Sequence, residues 1–191
     1  HAAQGSFIEF LDFAMGLSRR FGRPTEEIAN ALRLAVSVGF EKLPDAARVA
    51  ERPAALAVAS FSDVETAARA VTNLMNSYGL SSKDAGKATD VLMRGWQLAG
   101  VTMNEFARGI GTIAATSAGT GASMEDLIAL TSIATRSAAG SQRIFVELAR
   151  TFQNLVAPLS SSHAVMKALG IQLFRTREGG VDFEKTFIGL Q

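Results

Sequence analysis

Histidine, hydroxyl and carboxylate side chains are where this chain could do chemistry, and their spacing assigns most of them to other work. The sequence holds two histidines, His1 and His163, and no cysteine. Disulfides, thiolate metal sites and cysteine nucleophiles are excluded, and a zinc site or triad built on histidine has almost nothing to draw on. His163 follows three serines just inside a predicted short helix. Without a second histidine or a cysteine beside it, it reads as a surface residue rather than a ligand. Hydroxyl and carboxylate residues recur three apart: Ser62 with Glu65, Ser81 with Asp84, Thr102 with Glu105 and Ser123 with Asp126. A hydroxyl nucleophile needs a base at its side. The same spacing before an apolar run suits a capping box, in which each side chain satisfies a free N–H at a helix start. Ser62, Thr102 and Ser123 are therefore expected N-caps; the pairs with aspartate are weaker because Asp is shorter. The expected catalytic, cofactor-binding and metal-ligating sets are empty.

Other candidates also have structural readings. Asp90 sits between Lys87 and Arg94 at helical spacing, which suits a solvated ion pair, the alternative being a partner contact. Trp96, the only tryptophan, follows Leu92 by one turn and reads as core, with an interface anchor as the alternative. Arg19, Arg20 and Arg23 fall at a helix end, where cations complement the negative pole of the dipole. Gly109-Ile110-Gly111 and Gly119-Thr120-Gly121 follow no strand and lack the Lys-Ser/Thr ending of a phosphate loop. Gly111, Ala115 and Gly119 have the spacing of a small-residue contact face. Nineteen basic against 18 acidic residues leave a net charge of +1 over 191 residues, so no bulk attraction draws the chain to nucleic acid or an anionic membrane. With 48% hydrophobic residues it can bury a core, and no run is long and apolar enough for a spanning helix.

The elements that position these residues read as helices throughout. From residue 62 onward, a cap, an apolar stripe and a glycine recur about every twenty residues. The expected C-caps are Gly79, Gly100, Gly119, Gly140 and Gly170. The stripes are Val64, Ala67, Ala68, Val71, Leu74, Met75 and Tyr78; Ala88, Val91, Leu92, Gly95 and Leu98; Phe106, Ile110, Ile113 and Ala114; Leu127, Leu130, Thr131, Ala134 and Ala138; and Phe145, Leu148, Ala149, Phe152, Leu155 and Val156, stopped by Pro158. Upstream, helices are expected from about Ser6 to Phe21 and from Thr25 to near Gly39, with Pro44 and Pro53 each opening a short helix. After Pro158 a short helix covers Ser162 to Leu169, Ile171 to Arg175 is extended, residues 178–180 turn, and Asp182 caps a last helix. Short connections make consecutive helices antiparallel neighbours. The fold class is thus all-α: an irregular bundle of short antiparallel helices, preferred over a regular solenoid, with a small extended or turn segment near 171–181. One continuous domain is expected in three parts: an N-terminal helical segment 1–61, a helical core 62–170, and 171–191. A start at His1 rather than Met, and an end inside a predicted helix, suggest a piece of a longer chain.

Residues 67–141 and 148–171 resemble the core region of phage tail tape measure proteins. The carrying features are Tyr78-Gly79-Leu80 before a capped helix, the box Thr89-Asp90-Val91-Leu92, an Ala- and Gly-rich capped helix, the start Gly121-Ala122-Ser123-Met124-Glu125, and Leu169-Gly170-Ile171. Residues 18–40 fit the preceding helical pair, and the resemblance extends over about 18–190. The chain departs from the pattern at Gly140-Ser141-Gln142-Arg143-Ile144-Phe145, where the family often continues Gly-Ser-x-Ala-Gly-Thr. The resemblance implies a non-enzymatic structural role in tail length determination, tail assembly and DNA ejection, in the tail lumen of the virion. It implies as partners other copies of the chain, the tail tube, the tail assembly chaperone and baseplate or tail-tip proteins, with the host membrane at ejection, no sequence-specific nucleic acid and no cofactor. The alternatives are a membrane-active helical module for DNA passage, suggested by the uncharged small-residue stretch near 109–124, and a cell-wall hydrolase domain, which would need a carboxylic acid of raised pKa beside a second acid. A continuous helix of this length would reach about 290 Å. Its glycines and prolines predict instead a compact module within a longer tape.

Overall fold

The computed structural model describes residues 2–137 and 143–156. These form eight α-helices: α1 (Ala2–Phe21), α2 (Thr25–Ser37), α3 (Leu43–Ser60), α4 (Val64–Ser77), α5 (Ala85–Ala99), α6 (Met103–Thr120), α7 (Met124–Ser137) and α8 (Arg143–Val156). A single 3-10 turn, Ser82–Asp84, precedes α5, and no strand occurs among the described residues. The all-α bundle expected from the stripes is what forms. The longest helix has 20 residues, about 30 Å at 1.5 Å per residue, so residues 62–156 hold no continuous rod. Gly140, Gly170, His163, Pro158, the helix over Ser162 to Leu169, the extended segment from Ile171 to Arg175 and the cap at Asp182 lie outside the described residues.

Helix starts are set by local chemistry. Thr102 and Glu105 close a reciprocal box: the Glu105 N–H donates to the Thr102 hydroxyl at 3.3 Å and the Thr102 N–H donates to the Glu105 carboxylate at 3.0 Å. Ser123 and Asp126 do the same at 3.0 and 3.2 Å, and Ser81 with Asp84 opens the 3-10 turn. Ser62 is a correction. Asp63, one residue later, caps α4 by accepting from the Thr66 N–H at 2.6 Å. Glu65 turns outward to Arg69, and the Ser62 side chain is buried against Ser60. At the other ends, Gly79 and Gly100 take the left-handed conformation a helix stop requires. Gly119 does not: α6 runs two residues further than expected and is capped by Gly121, with φ of 83°. Pro53 is also corrected. It lies buried inside α3, whose first turn holds Pro44.

Two rows of helices make up the bundle. α1, α3, α5 and α7 pack in sequence along one row, and α2, α4, α6 and α8 along the other. Consecutive helices are neighbours throughout, as expected from the short connections; through α4 they pack broadly, and from α4 onward the contact between next-but-one helices dominates. Close approach explains it. Gly95 of α5 lies against Ile128 and Ser132 of α7, and Gly109 of α6 lies under the Phe145 ring of α8. Next-but-one helices run in the same sense: Lys87 meets Glu125 near the starts of α5 and α7, while Gly95 meets Ile128 and Ser132 further along.

The core is small-grained. Alanines fill roughly half of its buried apolar positions among the described residues, and Phe106, Ile110, Ile113, Leu74 and Leu92 supply much of the bulk. An alanine face buries little area, at about 25 cal/mol per Å2. The hydroxyls within it are satisfied by their own helices. Thr72, Thr89, Thr131, Ser132 and Thr135 each donate to the carbonyl four residues earlier, at 2.6 to 2.8 Å.

Candidate functional site

A groove of about 710 Å3 runs along the contact between α4 and α6. Its floor is Ala70, Ala107 and Gly111, and its walls carry Asp63, Glu65, Arg69, Asn73, Arg108 and Thr112. Most of its ionisable groups already have structural partners. Asp63 caps α4, and Glu65 holds the Arg69 guanidinium at 2.6 Å. Burial pushes the Asp63 carboxyl up, but the hydrogen bonds from Thr66, aided by the Arg108 charge, outweigh it and hold its pKa below the usual value. A group depressed in the folded state stabilises above its unfolded pKa and loses that contribution as pH falls through its folded pKa. The thermal stability of the parent should therefore fall as pH drops below about 4. Asp63→Asn, which keeps a capping oxygen without a titrating proton, should show a smaller loss over the same range. Equal acid sensitivity in both would show that Asp63 is not held as described.

The other displaced carboxyls move the same way. Asp84 and Glu105 are lowered by hydrogen bonds from Ser81 and Thr102, and Glu125 is lowered by Lys87 at 2.8 Å. Each holds its charge for capping or pairing, whereas a general acid for glycoside cleavage needs the opposite displacement. Among the described residues, no group of three or more His, Asp or Glu could hold a metal ion. No described helix is long and apolar enough to cross a membrane.

The remaining candidates take up positions as struts. Lys87 reaches across to Glu125 on α7 rather than along its own helix, leaving Asp90 exposed and without an ion pair among the described residues. Trp96 is half-buried against the core, and its indole N–H donates to the Val101 carbonyl at 2.9 Å, holding the α5–α6 corner. The arginine cluster bridges elements. Arg20 binds Glu51 of α3 at 2.6 Å, and Arg23 donates to the Ser62 carbonyl at the α3–α4 corner and pairs with Glu27. Gly111, Ala115 and Gly119 do not form a contact face: Gly119 has open space around it and Ala115 is exposed. The glycines that matter are Gly95, which lies on the predicted stripe, and Gly109. Gly109 shares a helical face with Phe106, Ile110 and Ile113, so the signal was present in the phase of the stripe. Sequence reading also missed Tyr78 as a link, since its hydroxyl donates to Ser117 of α6 at 3.2 Å.

Helix ends, struts and close contacts thus occupy the capping carboxylates, Lys87, Trp96 and the arginine cluster, the pattern of a scaffold. Residues 12–191 match the family described as phage-related minor tail protein, and the chain belongs to that family. It is a phage tail component with a structural role. Neither the curated proteins nor the solved structures provide a match.

Proposed function

We propose that this chain is a non-enzymatic structural module of a tail tape measure protein, housed in the tail lumen and serving tail assembly, length determination and DNA ejection. The family match over residues 12–191 carries the reading. Two features of the fold support it. Several of the described polar side chains, among them Asp63, Lys87, Glu105 and Glu125, are engaged in caps and struts, and the bundle is too compact to measure length by its own helical rise. It therefore acts as a packing and attachment unit within a longer tape, in contact with further copies, the tail tube, the tail assembly chaperone and baseplate or tail-tip proteins.

The test is an in-frame deletion of residues 62–156 from the gene in its phage, with tails viewed by electron microscopy. As a continuous helical tape, that stretch would shorten the tail by about 140 Å. The module reading expects failed or irregular tails instead. Tails shortened in strict proportion would overturn the compact-module assignment, and normal infectious tails would overturn the structural role altogether.

A further inference from the structure

Helix α7 buries its more polar side and leaves an apolar one uncovered among the described residues. Leu127, Ile128, Thr131, Ser132 and Thr135 face inward, with the three hydroxyls bonded to their own backbone. Sequence periodicity placed Leu130 on the buried stripe. In the structure Leu130 is 43% and Ile133 is 65% exposed. At 100° per residue, Leu130 stands about 160–200° around the helix from Ile128 and Ser132, the residues that receive α5. The bare stripe therefore points away from the helix already packed there. A helix apolar on two sides calls for a partner on each.

The charges flanking this stripe say what the partner is. Glu125 is taken by Lys87, whereas Arg136 has no ion pair among the described residues and Asp126, one of whose carboxylate oxygens accepts from Ser123 at the start of α7, has none either. They lie ten residues apart, about 15 Å along the axis, and cannot meet within one helix. In an antiparallel pair of α7 helices about a two-fold axis level with Thr131, each Asp126 falls opposite an Arg136. The same register sets Ala129 opposite Ile133, small against large. We propose that the outward face of α7 binds a second copy of this chain, α7 against α7, through Ala129, Leu130 and Ile133 flanked by two Asp126–Arg136 pairs. The contact is isologous, so a single self-complementary patch suffices. One helix face lies at the small end of specific interfaces, so association in free solution is weak and is strengthened by confinement. This inference rests on the structural reading above.

Sedimentation of the full chain over a wide concentration range provides the test, with circular dichroism confirming the fold of each variant. The parent should self-associate reversibly. Arg136→Asp sets two acids opposite each other and Asp126→Arg sets two bases, so each alone should associate at least about tenfold more weakly; Asp126→Arg also opens the Ser123 box, and recovery in the mixture separates lost pairing from a loosened helix start. Mixed in equal amounts, the two variants regain both pairs and should associate as the parent does. Ile133→Glu, at an exposed position that leaves the core intact, should abolish association. A parent that stays monomeric, variants that associate like the parent, or a mixture no stronger than its components would each overturn the proposed contact. None of these outcomes bears on the tail phenotype of the 62–156 deletion, so the two readings fail separately.

Discussion

Phe106→Ala should lower the unfolding free energy by about 3–5 kcal/mol, the range for truncating a fully buried aromatic. Phe106 is 0% exposed. It follows the Thr102–Glu105 box on α6, and its ring reaches the α5–α7 contact, with Cζ 3.1 Å from where a β-carbon on Gly95 would stand. The effect should sit high in that range because of what surrounds it. The neighbouring core is rich in alanine, and alanines have no rotamers with which to refill the space. Urea unfolding of the full chain measures the change. Phe61→Ala is the control: Phe61 is 98% exposed at the α3–α4 corner, and surface truncation there should alter stability by no more than about 0.5 kcal/mol. A loss below about 1 kcal/mol for Phe106→Ala would mean that α6 does not seat against α5 and α7 as described.

Legibility in the sequence followed the range of the interaction. The boxes at Thr102–Glu105 and Ser123–Asp126 were readable because donor and acceptor lie within one turn, and the α4 stripe from Val64 to Met75 because every member is apolar. Asp63 displaced Ser62 because two adjacent residues can both cap, and the choice depends on Ser62 being buried with its carbonyl taken by Arg23 from a distant helix. Gly119 and Gly121 posed the same problem. Burial of Ser117 and Thr120 draws two more residues, Gly119 and Thr120, into α6. Pro53 stays inside α3 because packing on α2 and α4 overrides the lost backbone bond. The α7 stripe was read only in part: Leu127 and Thr131 are buried as expected, but Leu130 is exposed, and Ser132 and Thr135, bonded to their own backbone, take inward places as small apolar residues would. Leu98, also expected inside, is 59% exposed near the end of α5. The row arrangement was not readable, since it depends on Gly95 and Gly109 admitting helices two places along. The absence of a catalytic constellation was an expectation from the two histidines and the missing cysteine.

Gly109→Ala should destabilise the bundle by about 1–3 kcal/mol even though alanine is the better helix former. A β-carbon at Gly109 would lie 2.0 Å from Cε1 and 2.1 Å from Cδ1 of Phe145, with Cζ at 2.3 Å. No small rotation clears three ring atoms at once, so either the ring leaves its pocket or α8 lifts from α6. The helix-propensity gain of about 1 kcal/mol offsets only part of that cost. In Phe145→Ala the obstruction is gone. There, adding Gly109→Ala should be neutral or stabilising, and the double-mutant cycle should return a favourable coupling of at least about 1 kcal/mol. Gly119 separates the two effects of the substitution: nothing lies within 4 Å of the position its β-carbon would take and its φ is helical, so Gly119→Ala should show the propensity gain alone. If Gly109→Ala stabilises the parent as Gly119→Ala does, α8 does not rest on α6 through this glycine, and the second row of the bundle ends at α6.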